Sequence, residues 1–270
     1  ETQQDETLIA ENLFGQDDCA LYAVFDGHGS EGHKAAAYVK RIFIEVLENY
    51  RQLLIVEPAA AIKRTFREIN DLLVENEDVD TYMSGTTASV VIRRGNQLIL
   101  AHLGDSRVGR EEKEANDDAM RDVYSDHNCT DPQELDRVLR SGARVQQLQD
   151  DGAGDGPLRI FKGSLPYPGI VVSRSLGDDV AQRLGVLCEP EVQIRELTPD
   201  DCYLILATDG VWDGMSSEAA VALVDREARA DSGVDAATAS ARLNAAALKA
   251  LDAHQIDDNV SNVCVFIRYH

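Results

Sequence analysis

The chain has 270 residues, 44% of them hydrophobic, with an ordinary 19 Gly and 7 Pro. That is enough apolar material for one large core and excludes collagen-like and low-complexity readings, so a single domain over residues 1–270 is expected. The formal charge of −22 disfavours nucleic acid and anionic membrane surfaces as partners. No apolar run approaches the roughly 18 residues of a membrane-spanning helix, no signal-like segment opens the sequence, and a soluble protein with no membrane insertion is expected. The five cysteines (Cys19, Cys129, Cys188, Cys202 and Cys264) are odd in number and show no CxxC spacing. A disulfide framework or zinc site is therefore not expected, and a reducing compartment, cytosol or nucleus, fits best.

In chain order, the apolar run 20–25 predicts a buried strand. From Ser30 to about Tyr50, Val39, Ile42, Phe43, Val46 and Leu47 recur at helical spacing. A second helix is expected after Glu57, with Pro58 in its first turn and Ile62, Phe66, Ile69 and Leu73 on one face. Two strands follow, Thr86 to Arg93 and Gln97 to Leu103, around a Gly95-Asn96 hairpin turn. Residues 111–122 read as a polar loop or exposed hairpin, 132–140 as a short helix, and 149–157 (QDDGAGDGP) as a mobile loop. A strand at 202–207 precedes a helix capped by Ser216 or Ser217, an alanine-rich helix over 235–253, and a closing strand at 260–268. With no internal repeat, this order predicts an α+β fold of stacked antiparallel sheets with helices outside.

Four aspartates share one setting: each adjoins a strand-like run, usually beside Gly or Asn. Asp26 follows LYAVF and precedes Gly27, Asp105 follows LILAHLG, Asp209 follows LILAT, and Asp258 precedes the last strand. Any one alone is a common turn residue. Together, carboxylates at rigid strand ends suit hard divalent cations, whose charge offsets the repulsion of gathering acids.

Six segments occur in order: VFDGHGS (24–30), SGTTASVV (84–91), LGDSR (103–107), SRSLGD (173–178), LATDGVWD (206–213) and DDNVSNVCVFI (257–267). With them the chain, from about Gln4 to Ile267, resembles the protein phosphatase 2C-type serine/threonine phosphatases. The resemblance implies two antiparallel sheets flanked by helices, two magnesium or manganese ions and a weaker third-ion site, and phosphoprotein substrates. It implies that Asp26 bridges both ions, that Gly27 offers a carbonyl, and that Asp209 and Asp258 bind the first ion. Asp105, with Asp209 and Asp213, resembles the third-ion site; Asp5 falls at the position of a further metal-site acid; His28 matches the histidine that protonates the leaving oxygen. A monomer is expected.

The implied reaction is attack on phosphorus by a water that two ions activate, with His28 relieving a poor leaving group. Three departures stand out. Gln4 stands before Asp5 where Glu is common, 126–128 reads DHN without the family's lysine, and the family's phosphate-gripping arginine would fall before residue 1, as in a truncated N-terminus. A catalytically impaired binding module therefore stands as the alternative, with another two-metal hydrolase, acting on nucleotides or nucleic acid, behind it; the −22 charge speaks against nucleic acid. Arg174 is open between a substrate anchor and a structural ion pair, and residues 145–170 between a substrate-selecting flap and a plain surface loop. His33 is more simply exposed than substrate-binding; His102, His127 and His254 are expected to be structural or superficial, and Trp212 to pack beside Asp209.

Overall fold

The computed structural model describes residues 2–112, 121–122, 124–150, 154–228 and 235–267. The chain opens with β1 (Glu6–Ala10), β2 (Cys19–Phe25) and the two-residue β3 (Gly27–His28). Helices α1 (Gly32–Asn49), α2 (Arg51–Val56) and α3 (Pro58–Val74) follow, then β4 (Gly85–Thr86), β5 (Ala88–Arg94), β6 (Gln97–Leu103), β7 (Arg107–Glu112) and β8 (Arg121–Asp122). Next come α4 (Pro132–Arg140), β9 (Ala143–Asp150), β10 (Gly154–Lys162), β11 (Pro168–Ile170), β12 (Leu176–Gly177) and α5 (Asp179–Gln182). The rest is β13 (Glu191–Glu196), β14 (Asp201–Ala207), α6 (Asp209–Gly214), α7 (Ser217–Ala228), α8 (Ala236–His254) and β15 (Asn262–Phe266).

Two antiparallel sheets form the centre, ordered β1-β2-β5-β6-β13 and β15-β14-β7-β8. Strand alternation explains how they stack. Ala20, Tyr22 and Val24 of β2 meet Leu204 and Leu206 of β14 and Val263 of β15 between the sheets. The intervening Leu21, Ala23 and Phe25 pack on Phe43 of α1 and Phe66 of α3. On the far side Tyr203 and Ile205 lie under Val224 of α7 and Leu243 of α8. The result is the expected α+β sandwich, helices outside two stacked sheets.

The helices start where the chemistry favours it. Pro58 opens α3, and Ile62, Phe66, Ile69 and Leu73 form its buried stripe. Asp131 caps α4 by accepting from Gln133 N, and Asp235 caps α8 by accepting from Thr238 N. Of the two serines at the start of α7, Ser216 does the capping, accepting from Ala219 N at 3.3 Å. The Gly95-Asn96 turn joins β5 to β6 with Arg94 opposite Gln97.

Several expectations are corrected. Residues 149–157 are no loop on their described part: β9 and β10 pair antiparallel, Asp150 opposite Gly154, with a register shift between Asp155 and Leu158 that absorbs Gly156-Pro157. Backbone groups make those bonds, so turn-prone side chains do not forbid them. With β11 the pair forms a three-stranded flap sheet over 143–170 rather than a plain loop. At 111–122, expected as a polar loop or exposed hairpin, the described strands β7 and β8 pair antiparallel, in keeping with the hairpin; residues 113–120 lie outside the described residues. Strands β1, β7 and β13 and helix α2 were not anticipated.

The flap sheet sits on α4 and α5 through Ile160, Val138, Val180 and Leu184. Beneath it lies a buried charge knot. Glu134, 2% exposed, takes Arg137 at 2.5 and 2.6 Å, Arg174 at 2.8 Å, and the Ser173 hydroxyl. Arg174 is thus a structural ion-pair partner. Burial alone would raise the Glu134 carboxyl, but hydrogen bonds from Arg137, Arg174 and Ser173 outweigh it and hold it at about 2. Because the folded value lies below the ordinary one, the stabilisation is present above about pH 4.5 and is lost as pH falls towards 2. Glu134→Ala leaves the two guanidiniums without their acceptor and is expected to cost about 3 kcal/mol in urea unfolding at neutral pH, a difference that shrinks progressively below about pH 4.5.

Candidate active site

The sheet registers gather the acids at one edge. Glu6 lies opposite Phe25, so Asp5 and Asp26 fall together just beyond the β1–β2 pair. Ala207 at the end of β14 is opposite both Arg107 at the start of β7 and Asn262 at the start of β15. Asp209, Asp105 and Asp258 therefore leave the second sheet at the same end. Carboxylate oxygens of Asp26, Asp105 and Asp209 lie within 4.8 Å of one another. Asp5 is buried, and its Oδ2 accepts from Thr208 Oγ1 at 2.9 Å. Asp258 Oδ1 accepts from Asn259 N at 2.8 Å. Asp213 is exposed, one turn beyond Asp209 on α6.

The backbone around these acids leaves almost no slack. Asp26 N donates to Thr87 Oγ1 at 3.1 Å, Thr87 N donates to Asp26 O at 2.9 Å, and Thr87 Oγ1 pairs with Ser106 Oγ at 2.7 Å. Three of the six ordered segments, 24–30, 84–91 and 103–107, thereby meet at Thr87. A Cβ on Gly27 would lie 2.4 Å from Gly32 O and 2.6 Å from Gln4 O. On Gly210 it would lie 2.0 Å from Asn259 O. Gln4 N donates to Asn259 Oδ1 at 2.7 Å and its Nε2 donates to Gly29 O at 3.1 Å. A glutamate could not make that second bond, so the neutral residue has a structural use here.

Burial and mutual repulsion push the carboxyls up. Burial comes first for each, followed by Asp209 for Asp26, which stands well above its ordinary 3.8, for Asp105 at about 8 and for Asp258 at about 7. Asp5 reaches about 6 by burial, restrained by its hydrogen bonds to Thr208 and Ser261. Such a cluster holds protons unless a cation replaces them. All its donors are oxygens, and that set fits a hard divalent ion.

His28 belongs to a small sheet, β12-β4-β3, in which it lies opposite Gly85. Its Nε2 is 2.6 Å from Asp178 Oδ2, which also accepts from Ser175 Oγ at 2.6 Å. Asp178 is 1% exposed. Gly85 makes room for it, since a Cβ there would come within 2.3 Å of Asp178 Oδ2. Burial would lower the His28 value, but the Asp178 charge and hydrogen bond, with Asp105 and Asp209, raise it. Asp178 was given no role in the sequence reading, although it ends the SRSLGD segment. A partner 150 positions away has no local signature.

The other candidates resolve simply. His102 and His127 are buried and stacked 4.6 Å apart, and burial lowers them to about 4 and about 2. His254 is exposed at the end of α8, and His33 is half-buried on α1. Trp212 Nε1 donates to Ala207 O at 3.0 Å, beside Asp209. A cleft of about 330 Å³ opens over the cluster, bounded by Asp26, His28, Asp105 and Asp209 below and, above, by Arg159 and residues 168–170 of the flap with Val171 and Val172 just beyond it.

The family model described as "Protein phosphatase 2C" matches residues 2–256. The chain belongs to the protein phosphatase 2C family. Its members are metal-dependent serine/threonine phosphatases, and the acid cluster is in keeping with that dependence. Among relatives, "Probable protein phosphatase 2C 35" of Arabidopsis thaliana is 33% identical over 251 residues, covering 87% of this chain and 72% of that protein. "Probable protein phosphatase 2C 64" of Oryza sativa subsp. japonica is 33% identical over 249 residues, 87% of this chain and 57% of that one. Among solved structures, serine-threonine phosphatase 2C from Toxoplasma gondii superposes with a TM-score of 0.85 at 22% identity, over 99% of this chain and 91% of that one. A C. elegans sex determining protein does so with 0.80 at 24% identity, over 99% and 62%. At those identities the two structures bear on the protein phosphatase 2C fold alone.

The raised carboxyls make the metal-free phosphatase sensitive to pH in a fixed direction. Between the ordinary 3.8 and the folded values of about 6, 7 and 8, the folded chain binds more protons than the unfolded one. Stability therefore falls as pH rises through that window. In a chelator the Tm is expected to drop between about pH 5 and about pH 8, with excess manganese raising it more at the upper end. Equal manganese shifts at both ends, read by thermal melts, would contradict the cluster's protonation.

Proposed function

We propose that the protein hydrolyses phosphoserine and phosphothreonine monoesters in phosphoproteins, using two magnesium or manganese ions held at the shared strand edge. The observation that carries this reading is the convergence of Asp26, Asp105 and Asp209 oxygens within 4.8 Å. Asp26 is assigned to both ions, the Gly27 carbonyl to one, and Asp209 and Asp258 to the first. Asp5 supports the site through its buried contact with Thr208, and Asp105 with Asp213 and Asp209 is assigned to a weaker third ion. When bound, such ions lower the pKa of a water for attack in line on phosphorus and clamp the phosphoryl oxygens.

The chain's own part is to orient the phosphoryl group and to move one proton. Asp178 holds His28 by Nε2–H at 2.6 Å. That leaves Nδ1–H, which makes no hydrogen bond among the described residues, to donate to the departing serine or threonine oxygen. Asp178 orients the ring and favours its charged form, so the proton is available when the P–O bond breaks. Catalysis is otherwise positioning and electrostatics, because the transition state spreads its charge over the phosphoryl oxygens.

Manganese-dependent release of phosphate from a phosphothreonine peptide tests the proposal. Chelation, and Asp209→Ala in manganese, are each expected to reduce turnover to background. A wild-type rate no higher than that of Asp209→Ala would instead favour a binding module. The proton step is tested separately by leaving group. His28→Asn should slow a phosphoserine peptide about 10²-fold or more while changing a nitrophenyl ester far less, and Asp178→Asn should show the same pattern, weaker. Equal losses on both esters would assign the pair a structural role.

A further inference from the structure

Strand β10 of the flap sheet carries a cation to the cleft. Its Ile160 is fully buried against Val138 and Val180, and alternation turns the neighbouring Arg159 to the opposite face. There Arg159 lines the same cleft as the acid cluster and His28, and no other lysine or arginine does so among the described residues. Its Nη1 donates to Gly169 O at 2.8 Å, which pins the guanidinium between β10 and β11. Its Nε and Nη2 have no hydrogen bond or ion pair among the described residues. The nearby arginines are engaged otherwise: Arg174 with Glu134, and Arg144 with the carbonyls of Gly163 and Leu165.

We propose that Arg159 is a phosphate-binding residue, its unpaired guanidinium edge gripping the phosphoryl oxygens of the substrate from the flap side of the cleft. The inference rests on the phosphatase reading above. A phosphate monoester dianion in this cleft has the metal-site acids Asp26, Asp105 and Asp209 on the sandwich side only, where bound cations would take up part of its charge, and its flap-facing oxygens need a partner of their own. Arg159 supplies the opposite charge from across the opening. A guanidinium presents parallel donors that match two phosphoryl oxygens, and its bond to Gly169 orients it before the substrate arrives. The flap would then sense the phosphoryl group itself rather than the sequence around it.

Arg159→Met keeps the stem and loses the donors. In the manganese-loaded protein it is expected to raise both the inhibition constant for inorganic phosphate and KM for a phosphopeptide about tenfold or more, with Arg159→Lys between it and wild type. Unchanged phosphate inhibition in the Met variant overturns the proposal. So does a loss confined to peptides with an acidic residue beside the phosphorylated one, which would make Arg159 a reader of peptide sequence. A second measurement needs neither a variant nor turnover: phenylglyoxal modification of the wild-type, manganese-loaded protein, read by peptide mass spectrometry. Inorganic phosphate should protect Arg159, and absence of protection overturns the proposal. If the wild-type protein shows no turnover, the phosphatase reading fails by itself, while the protection experiment still decides whether Arg159 binds phosphate.

Discussion

The constraint on which this structure turns is the crowding of carboxylates where two sheets end together. Asp5, Asp26, Asp105, Asp209 and Asp258 arrive from five places in the sequence, and burial with mutual repulsion raises four of them well above ordinary carboxyls. A fold would not gather such groups for its own stability, since each desolvated charge disfavours the compact state. The cluster makes physical sense as a binding site for opposite charge. The remainder of the molecule can be understood as what is needed to hold it in place.

Holding it falls chiefly to the backbone. The strand registers bring the acids to one edge, and close main-chain approaches lock the loops that carry them. Gly27 against Gly32 and Gln4, and Gly210 against Asn259, leave no space for a side chain. Thr87 pins Asp26 through both its backbone amide and its hydroxyl. Gln4, at first sight a weakened metal-site residue, ties the chain's start to Gly29 and Asn259. The same economy of space operates at Gly85, whose missing Cβ admits the Asp178 carboxylate that holds His28.

The flap is built on different physics. Its strands are polar and turn-rich, and it owes its position to a small apolar cluster on α4 and α5 and to the Glu134 charge knot below. That support is independent of the acid cluster. It lets one wall of the cleft carry its own chemistry, including Arg159, while the opposite wall is fixed by the sandwich.

What could be read directly from residue order was whatever depends on local pattern. Strands β2, β5, β6 and β14 are central and covered on both faces, so they appear as unbroken apolar runs, and α3 shows its buried stripe at helical spacing. The strand-end aspartates and His28 were visible as ordered segments. Edge strands such as β13 (EVQIRE) and β1 are half-wet, and their composition is that of a loop. The strand character of β9 and β10 lies in backbone pairing, which side chains scarcely report. The Asp178 hydrogen bond to His28 and the Glu134 bond to Arg174 join residues 150 and 40 positions apart. Only the folded topology decides such meetings, because proximity in space is a property of the packed sheets, whereas periodicity and composition describe just the neighbourhood along the chain.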